Sequence, residues 1–401
     1  MRVVLAHHWL TRPRGGERVL AELSRIFPEA PILTTVLDRR RDWPAGLAGV
    51  VSRARPSALQ SLYDASPRVL PLLVPLMPAA LRRMRGLLKG CELLLVSDAG
   101  LAKCLPVPPG ARKLVYAHTP MRRLWAADPE ADVVAPLRPI ARWAARRLRA
   151  RDRAEALGVS SWAANSATTR DRLVACYGIE AARIRVIHPP VRRTWAASSL
   201  VIPAKAGIQG VLGSGVRRND GCGDPQVEPA AARAPLRRGL LVVSPMVRYK
   251  RDDLALLAAA RLGEPLTVVG EGPERERLGR LAGPNTRFLG WVEGARLACL
   301  YEEAEGLLFC GEEDFGLVPV EAMASGCPVL AFRSGGATET VRDGVGGLFF
   351  DEQTPDAVAE GIRRLKAHLW DEAAVRDSVG RFRPEEFERQ VREWVAAGRA
   401  G

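Results

Sequence analysis

Residues 311–341 read GEEDFGLVPVEAMASGCPVLAFRSGGATETV. Seven residues separate Glu313 from Glu321 in it, among them a Phe-Gly pair and an apolar stretch. Gly316 opens a helical pattern that runs to Ser325, and Gly326 punctuates its end before an apolar run from Pro328 to Phe332. A helix N-terminus offers free backbone N–H groups and the positive end of a dipole, which together favour a phosphate. On this reading Glu313 sits at the mouth of the helix and Glu321 about two turns down it. Such carboxylates can accept hydrogen bonds from sugar and ribose hydroxyls at the two ends of a nucleotide-sugar. Two glutamates alone would better suit a capping acid and an exposed helix acid; the order Phe-Gly, Glu-Ala-Met-Ala, Gly-x-Pro-Val, Gly-Gly-x-x-Glu around them favours the site.

Working outward, short apolar runs alternate with helical patterns on both sides. Strands are expected at Leu240–Ser244, Leu266–Gly270, Thr286–Leu289, Gly306–Phe309 and Pro328–Phe332, with helices near 252–262, 273–282, 294–304 and 317–325. Nearer the start come Val3–Ala6, a turn holding Gly15 and Gly16, a helix from Glu17 to Phe27, and runs at Leu93–Ser97, Leu114–Ala117, Gly158–Val159 into Ala163–Asn165, and Ile184–Ile187. Continuous apolar strands separated by helices imply parallel sheets covered on both faces. The fold class expected is α/β, as two doubly wound Rossmann-like domains facing across a cleft, with ligand bound outside the carboxyl ends of the strands. The boundaries read 1–195, an inserted segment over 196–236, a second domain over 237–384, and an amphipathic helix over 385–401. The insert, rich in Gly, Pro and Ala, shows no sustained period and is expected to be disordered; VIPAKAGIQ with VRRNDG looks like translated DNA of a dispersed repeat element.

A chain of 401 residues with 47% hydrophobic and 26% charged residues suits two ordinary globular domains. Seven scattered cysteines form no C-x-x-C pair, which argues against a disulfide framework or a zinc site and for a reducing cytoplasm. The start, MRVVLAHHWL, lacks a signal-peptide pattern, and no stretch approaches a membrane span. The longest apolar run, VLPLLVPLMPAAL (69–81), is broken by three prolines; it reads as core, or as a lining for an acceptor groove or the membrane surface. Residues 1–200 carry 33 Lys and Arg against 15 Asp and Glu, while the remainder carries 26 against 30. So basic a first half suits a polyanion such as anionic lipid or a lipid diphosphate. Nucleic acid is not expected: the basic run 141–157 lacks interleaved aromatics and equally fits a solvated helix face.

The stretch 311–341 resembles the E-x7-E signature of the family 4 (group 1) glycosyltransferases, which have the GT-B fold, and the resemblance extends over most of the chain. HHWLTRPRGGERVL (7–20) is similar to the family's acceptor-domain glycine loop, and YAHTPMRRLW (116–125) to its histidine segment. ANS (164–166), VIHPPV (186–191), VVSPMVRYKRDDLAL (242–256), VVGEGPERERL (268–278) and RFLGWV (287–292) resemble further family markers. Within the family the O-antigen and exopolysaccharide mannosyltransferases look most alike.

The resemblance implies that Glu313 holds hydroxyls of the transferred sugar and Glu321 the ribose. Phe315, Gly316 and Leu317 would present backbone amides to the donor, Lys250 would neutralise the leaving diphosphate, His118 would face the sugar, and Gly15 and Gly16 would let backbone approach the reacting centre. It further implies retention of anomeric configuration, a nucleotide-sugar donor with GDP-mannose favoured, a polyprenyl-diphosphate-linked glycan acceptor, a peripheral place on the cytoplasmic face of an anionic membrane, and a terminal helix returning to the first domain. No Asp-x-Asp occurs, so a metal-independent enzyme without a cofactor is expected. One departure concerns the second diphosphate cation: where the family carries an arginine this chain has Pro245, leaving Arg248 or Arg251 as candidates. Pro245 and the insert also motivate an alternative, a catalytically impaired relic or nucleotide-sugar-binding module. A nicotinamide-dependent oxidoreductase is disfavoured because GEGPER (270–275) lacks a third glycine and carries acids where a pyrophosphate would sit.

Overall fold

The computed structural model describes residues 1–125, 138–192, 237–292 and 294–397. The segment expected to be inserted over 196–236 lies outside them.

The first domain is a seven-stranded parallel sheet built from β1 (Val3–His7), β2 (Ile32–Thr34), β3 (Ala54–Pro56), β4 (Leu93–Asp98), β5 (Arg112–Ala117), β6 (Ser161–Ala164) and β7 (Ile184–Val186), in the order β3-β2-β1-β4-β5-β6-β7. Successive residues of each strand point to opposite faces. Val4, Ala6, Leu94 and Val96 therefore enter one core, while Val3, Leu5, Leu93 and Leu95 enter the other. The second domain repeats the plan with β8 (Leu240–Val243), β9 (Leu266–Val269), β10 (Thr286–Gly290), β11 (Gly306–Phe309), β12 (Val329–Phe332) and β13 (Gly347–Phe350), ordered β10-β9-β8-β11-β12-β13. Both sheets reverse their winding beside the first strand of the domain, β1 against β4 and β8 against β11, and those switch points face the site.

Helices that position the site are α1 (Gly15–Ile26), α2 (Arg138–Leu157), α3 (Ala167–Tyr177), α4 (Asp252–Leu262), α5 (Leu317–Ala324) and α6 (Pro384–Ala397). Three expectations are corrected. Gly15 and Gly16 do not form a turn but are the first two residues of α1, where the Glu17 carboxylate accepts the Arg14 N–H at 3.1 Å. Glu321 lies little more than one turn into α5 rather than two, because that helix opens at Leu317. Gly158 and Val159 precede β6 and are not part of a strand.

Helix α6 packs Phe387, Val391, Trp394 and Val395 into the core of the first domain, on the face that holds Leu5 and Leu95. The Trp394 indole N–H donates to the Ser161 hydroxyl at 2.8 Å. The proline-broken run is neither pure core nor pure surface. Residues 67–88 make successive short helical turns that bury Leu73, Met77, Leu81, Met84 and Leu88. Leu72 and Leu76 point outward and are 75% and 50% exposed.

Candidate functional site

The site lies where α1 and the loop after β5 meet the loops after β8 and β11. Gly316 takes φ +84°, a left-handed conformation that costs glycine little, and so turns the chain from Phe315 into α5. Beneath it the Gly335-Gly336 pair lies against the 313–315 backbone: the Gly336 N–H donates to the Glu313 carbonyl at 2.8 Å, and a Cβ there would strike the Phe315 backbone. The Gly-Gly of the motif is thus a bed for the Glu313 loop. The Phe315 ring is buried, 5.6 Å from His188 and 5.4 Å from Phe382.

The structure brings Glu313 and Lys250 together as an ion pair. Burial lowers the Lys250 ammonium to about 7; the nearby Arg122 guanidinium adds to this, and Asp252 and Asp314 oppose it. Glu321 accepts hydrogen bonds from the Arg18 guanidinium and, at 3.2 Å, from the Tyr301 hydroxyl. Leu317 meets Gly15 across the domain boundary, where a Cβ on the glycine would collide with its side chain. Gly16 lies beside His118 and His7, 3.5 Å from each ring at its would-be Cβ.

His118 is held through the Ser97 hydroxyl, which is 2.8 Å from its Nε2 and 3.1 Å from Nδ1 of His7. Burial depresses His118 to about 3, and His7 adds to the effect. The ring is therefore held in its neutral form, hydrogen-bonded to Ser97. The remaining two expected residues are engaged elsewhere. Arg248 is 85% exposed, with Glu274 3.9 Å away, and Arg251 reaches Gln353 at 3.3 Å and Asp253 at 3.4 Å.

Reading the sequence missed the cross-domain partners. Asp314 takes Arg122 at 2.6 Å and Arg172 at 2.9 Å, and Glu312 takes Arg172 at 3.1 Å. Glu339, the last residue of the Gly-Gly-x-x-Glu order, accepts the N–H groups of Ala167 and Thr168 at 2.7 and 3.0 Å, with His188 Nε2 at 3.3 Å. Its carboxylate caps α3 of the other domain. Arg18, Arg122 and Glu339 all fell within quoted motifs, whereas Tyr301 sits in the last turn of the helix Gly294–Glu303 with no local signal. Among the described residues no group of three or more His, Cys, Asp or Glu side chains is arranged so that it could hold a metal ion.

Comparison with known proteins assigns both domains. Residues 13–194 match the model described as Glycosyltransferase Family 4, and residues 237–368 the model described as Glycosyl transferases group 1. A D-inositol 3-phosphate glycosyltransferase of Nocardioides sp. is 30% identical over 226 residues, covering 50% of this chain and 45% of the relative. A GDP-mannose-dependent alpha-(1-6)-phosphatidylinositol monomannoside mannosyltransferase of Mycobacterium tuberculosis is 30% identical over 193 residues, covering 42% and 47%. The chain thus spans about half the length of the curated relatives it matches. A solved lipopolysaccharide outer core galactosyltransferase superposes with a TM-score of 0.64 at 14% identity over 99% of both chains, a likeness of fold. With one model on each of two doubly wound domains, the chain belongs to the group 1, family 4 glycosyltransferases of GT-B fold.

Proposed function

We propose that the protein is a retaining, metal-independent glycosyltransferase that moves mannose from GDP-mannose onto a polyprenyl-diphosphate-linked glycan during assembly of a cell-surface polysaccharide. The observation that carries this reading is the contact of α5 with α1 of the other domain, Glu321 on Arg18 and Leu317 on Gly15, with the Glu313–Lys250 pair just before α5 and His118 beside Gly16. In this reading the donor's diphosphate takes Lys250, its ribose hydroxyls take Glu321, and its sugar hydroxyls take Glu313 and neutral His118. The N-terminal amides of α5 meet the phosphates. Transfer proceeds on one face of the sugar: the bond from C1 to the diphosphate oxygen breaks, the acceptor oxygen bonds to C1, and its proton passes to the departing phosphate. The charge of the leaving group falls on Lys250 rather than on a metal. The donor assignment is supported by the GDP-mannose-dependent relative.

The acceptor assignment and a peripheral place on the cytoplasmic membrane face are supported by the outward side of residues 67–88. Arg68, Leu72, Leu76, Arg82, Arg83 and Leu87 alternate there with the buried residues, and all are exposed. Leucines rimmed by arginines suit an anionic bilayer surface, where apolar burial and attraction to headgroups add. Among the described residues no helix is long and apolar enough to cross a membrane.

The test is nucleotide release from a panel of GDP-, UDP- and ADP-sugars, in EDTA, with and without a membrane lipid extract. Lipid-dependent release of one nucleotide, lost in Glu313→Ala, supports the transferase. Release that requires added divalent metal overturns the metal-independent part. Silence across the panel, with no thermal shift on adding donor, supports the impaired relic that Pro245 motivates.

A further inference from the structure

Lys250 is one fixed cation at a site that has to take a diphosphate; Arg248 is 85% exposed and Arg251 is held by Gln353 and Asp253. A different cation stands beside it. The Arg122 guanidinium lies 5.1 Å from the centroid of the Tyr249 ring, and Lys250 Nζ lies 5.6 Å from the same centroid. Arg122 opens the short helix Arg122–Trp125, four residues after His118, and reaches across the domain boundary to Asp314. Its charge is felt at Lys250, where it opposes protonation.

Two like charges brought to one aromatic ring cost energy unless anions share the place. The carboxylates there are divided: Glu313 meets Lys250, and Asp314 divides its oxygens between Arg122 and Arg172. Asp314 is 5% exposed and takes Arg122 on a single oxygen at 2.6 Å. A guanidinium presents five N–H donors in a fixed fork, so Arg122 keeps donors for an anion while Asp314 fixes its direction.

We propose that Arg122 of the first domain is the second cation of the diphosphate site, completing across the domain boundary what Pro245 cannot supply within the second domain. The inference rests on the proposed donor site. It adds that the diphosphate itself ties the two domains together, so that nucleoside diphosphates, and not monophosphates, engage both.

The experiment is calorimetric binding of GDP, UDP and ADP and of the matching monophosphates to the full chain and to Arg122→Gln, Arg122→Lys and Asp314→Asn. The wild type is expected to bind the preferred diphosphate more tightly than its monophosphate. Arg122→Gln is expected to lose about 10- to 100-fold in diphosphate affinity, the range for a charge-assisted contact, with the monophosphate little changed. Arg122→Lys should retain part of the difference. Asp314→Asn breaks the same ion pair but keeps the arginine, and is expected to cost less diphosphate affinity than Arg122→Gln, with the preference over the monophosphate retained. If Arg122→Gln and Asp314→Asn weaken diphosphate and monophosphate alike, Arg122 only holds the domains together and the inference fails. A wild-type preference for diphosphate that survives in Arg122→Gln overturns the inference and leaves the donor site standing. A wild type with no such preference for any base overturns both.

Discussion

Replacing Glu339 by alanine is expected to loosen the two domains without touching the donor carboxylates. The side chain is 18% exposed and accepts two backbone N–H groups at the start of α3, at 2.7 and 3.0 Å, together with the Thr168 hydroxyl at 3.2 Å. Hydrogen bonds to a charged group contribute about 1.5–3 kcal/mol each when buried, and partial exposure together with replacement by water brings the pair down to roughly 2–3 kcal/mol. The favourable end of the helix dipole is included in that figure. At 1.4 kcal/mol per decade, the closed arrangement loses roughly 30- to 150-fold in population relative to an open one.

Hydrogen exchange reads this directly. The Ala167 and Thr168 amides should exchange faster in Glu339→Ala by a comparable factor, and small-angle scattering should report a larger radius of gyration. Burial works against ionisation of Glu339, but His188 and the two amides outweigh it and hold its carboxyl below the usual value. The contact is therefore fully present above the ordinary glutamate range and is lost as the pH falls through the depressed value, so wild type under acid should approach the variant at neutral pH. Unchanged exchange at both amides, with scattering indistinguishable from wild type, would refute the reasoning.

Four further outcomes are expected. Tyr301→Phe removes a hydroxyl bonded to Glu321 at 3.2 Å and should raise the donor KM about 3- to 10-fold with kcat little changed, as initial rates will show. Only the charged form of Lys250 attracts a diphosphate, and its value of about 7 means that nucleoside diphosphate affinity should fall as pH rises from 7 to 9; calorimetry at three pH values checks this, and a flat profile would mean that Glu313 keeps the lysine charged. Trp394→Ala empties a site only 1% exposed and loses the bond to Ser161, so denaturant unfolding should report a loss of about 3–5 kcal/mol. Leu72→Ser with Leu76→Ser should reduce sedimentation with anionic vesicles at least severalfold while leaving the melting temperature unchanged, since both side chains are already in water.

What could be read from the chain follows from how local each signal is. Runs such as LLLVSD at 93–98 are buried on both faces of a sheet and announce themselves as continuous apolar segments. The three-residue strands Ile32–Thr34 and Ala54–Pro56 are too short to form a period, and the pairing that orders them comes from β1 and β2. Gly347–Phe350 was missed likewise, as four residues with glycine at their head. At the site, the E-x7-E spacing is local and legible. Which charge meets which carboxylate is not, because Arg18 and Glu321 lie 303 residues apart in the chain and the Arg122–Asp314 pair 192. Arg248 shows the converse: proximity in sequence to Lys250 suggested a shared task, but a short 3-10 turn over Arg248–Lys250 sends the two side chains apart.

The most direct test of the central claim is to incubate the protein with GDP-mannose labelled in the sugar and a membrane lipid extract, in EDTA, and to count label in the lipid phase against GDP released. Equal amounts of lipid-borne label and GDP from wild type, falling by at least about 100-fold in Glu313→Ala, are the expected result. GDP release with free labelled mannose and none in lipid, or lipid labelling that survives in Glu313→Ala, would contradict a transferase whose donor site is built on that glutamate.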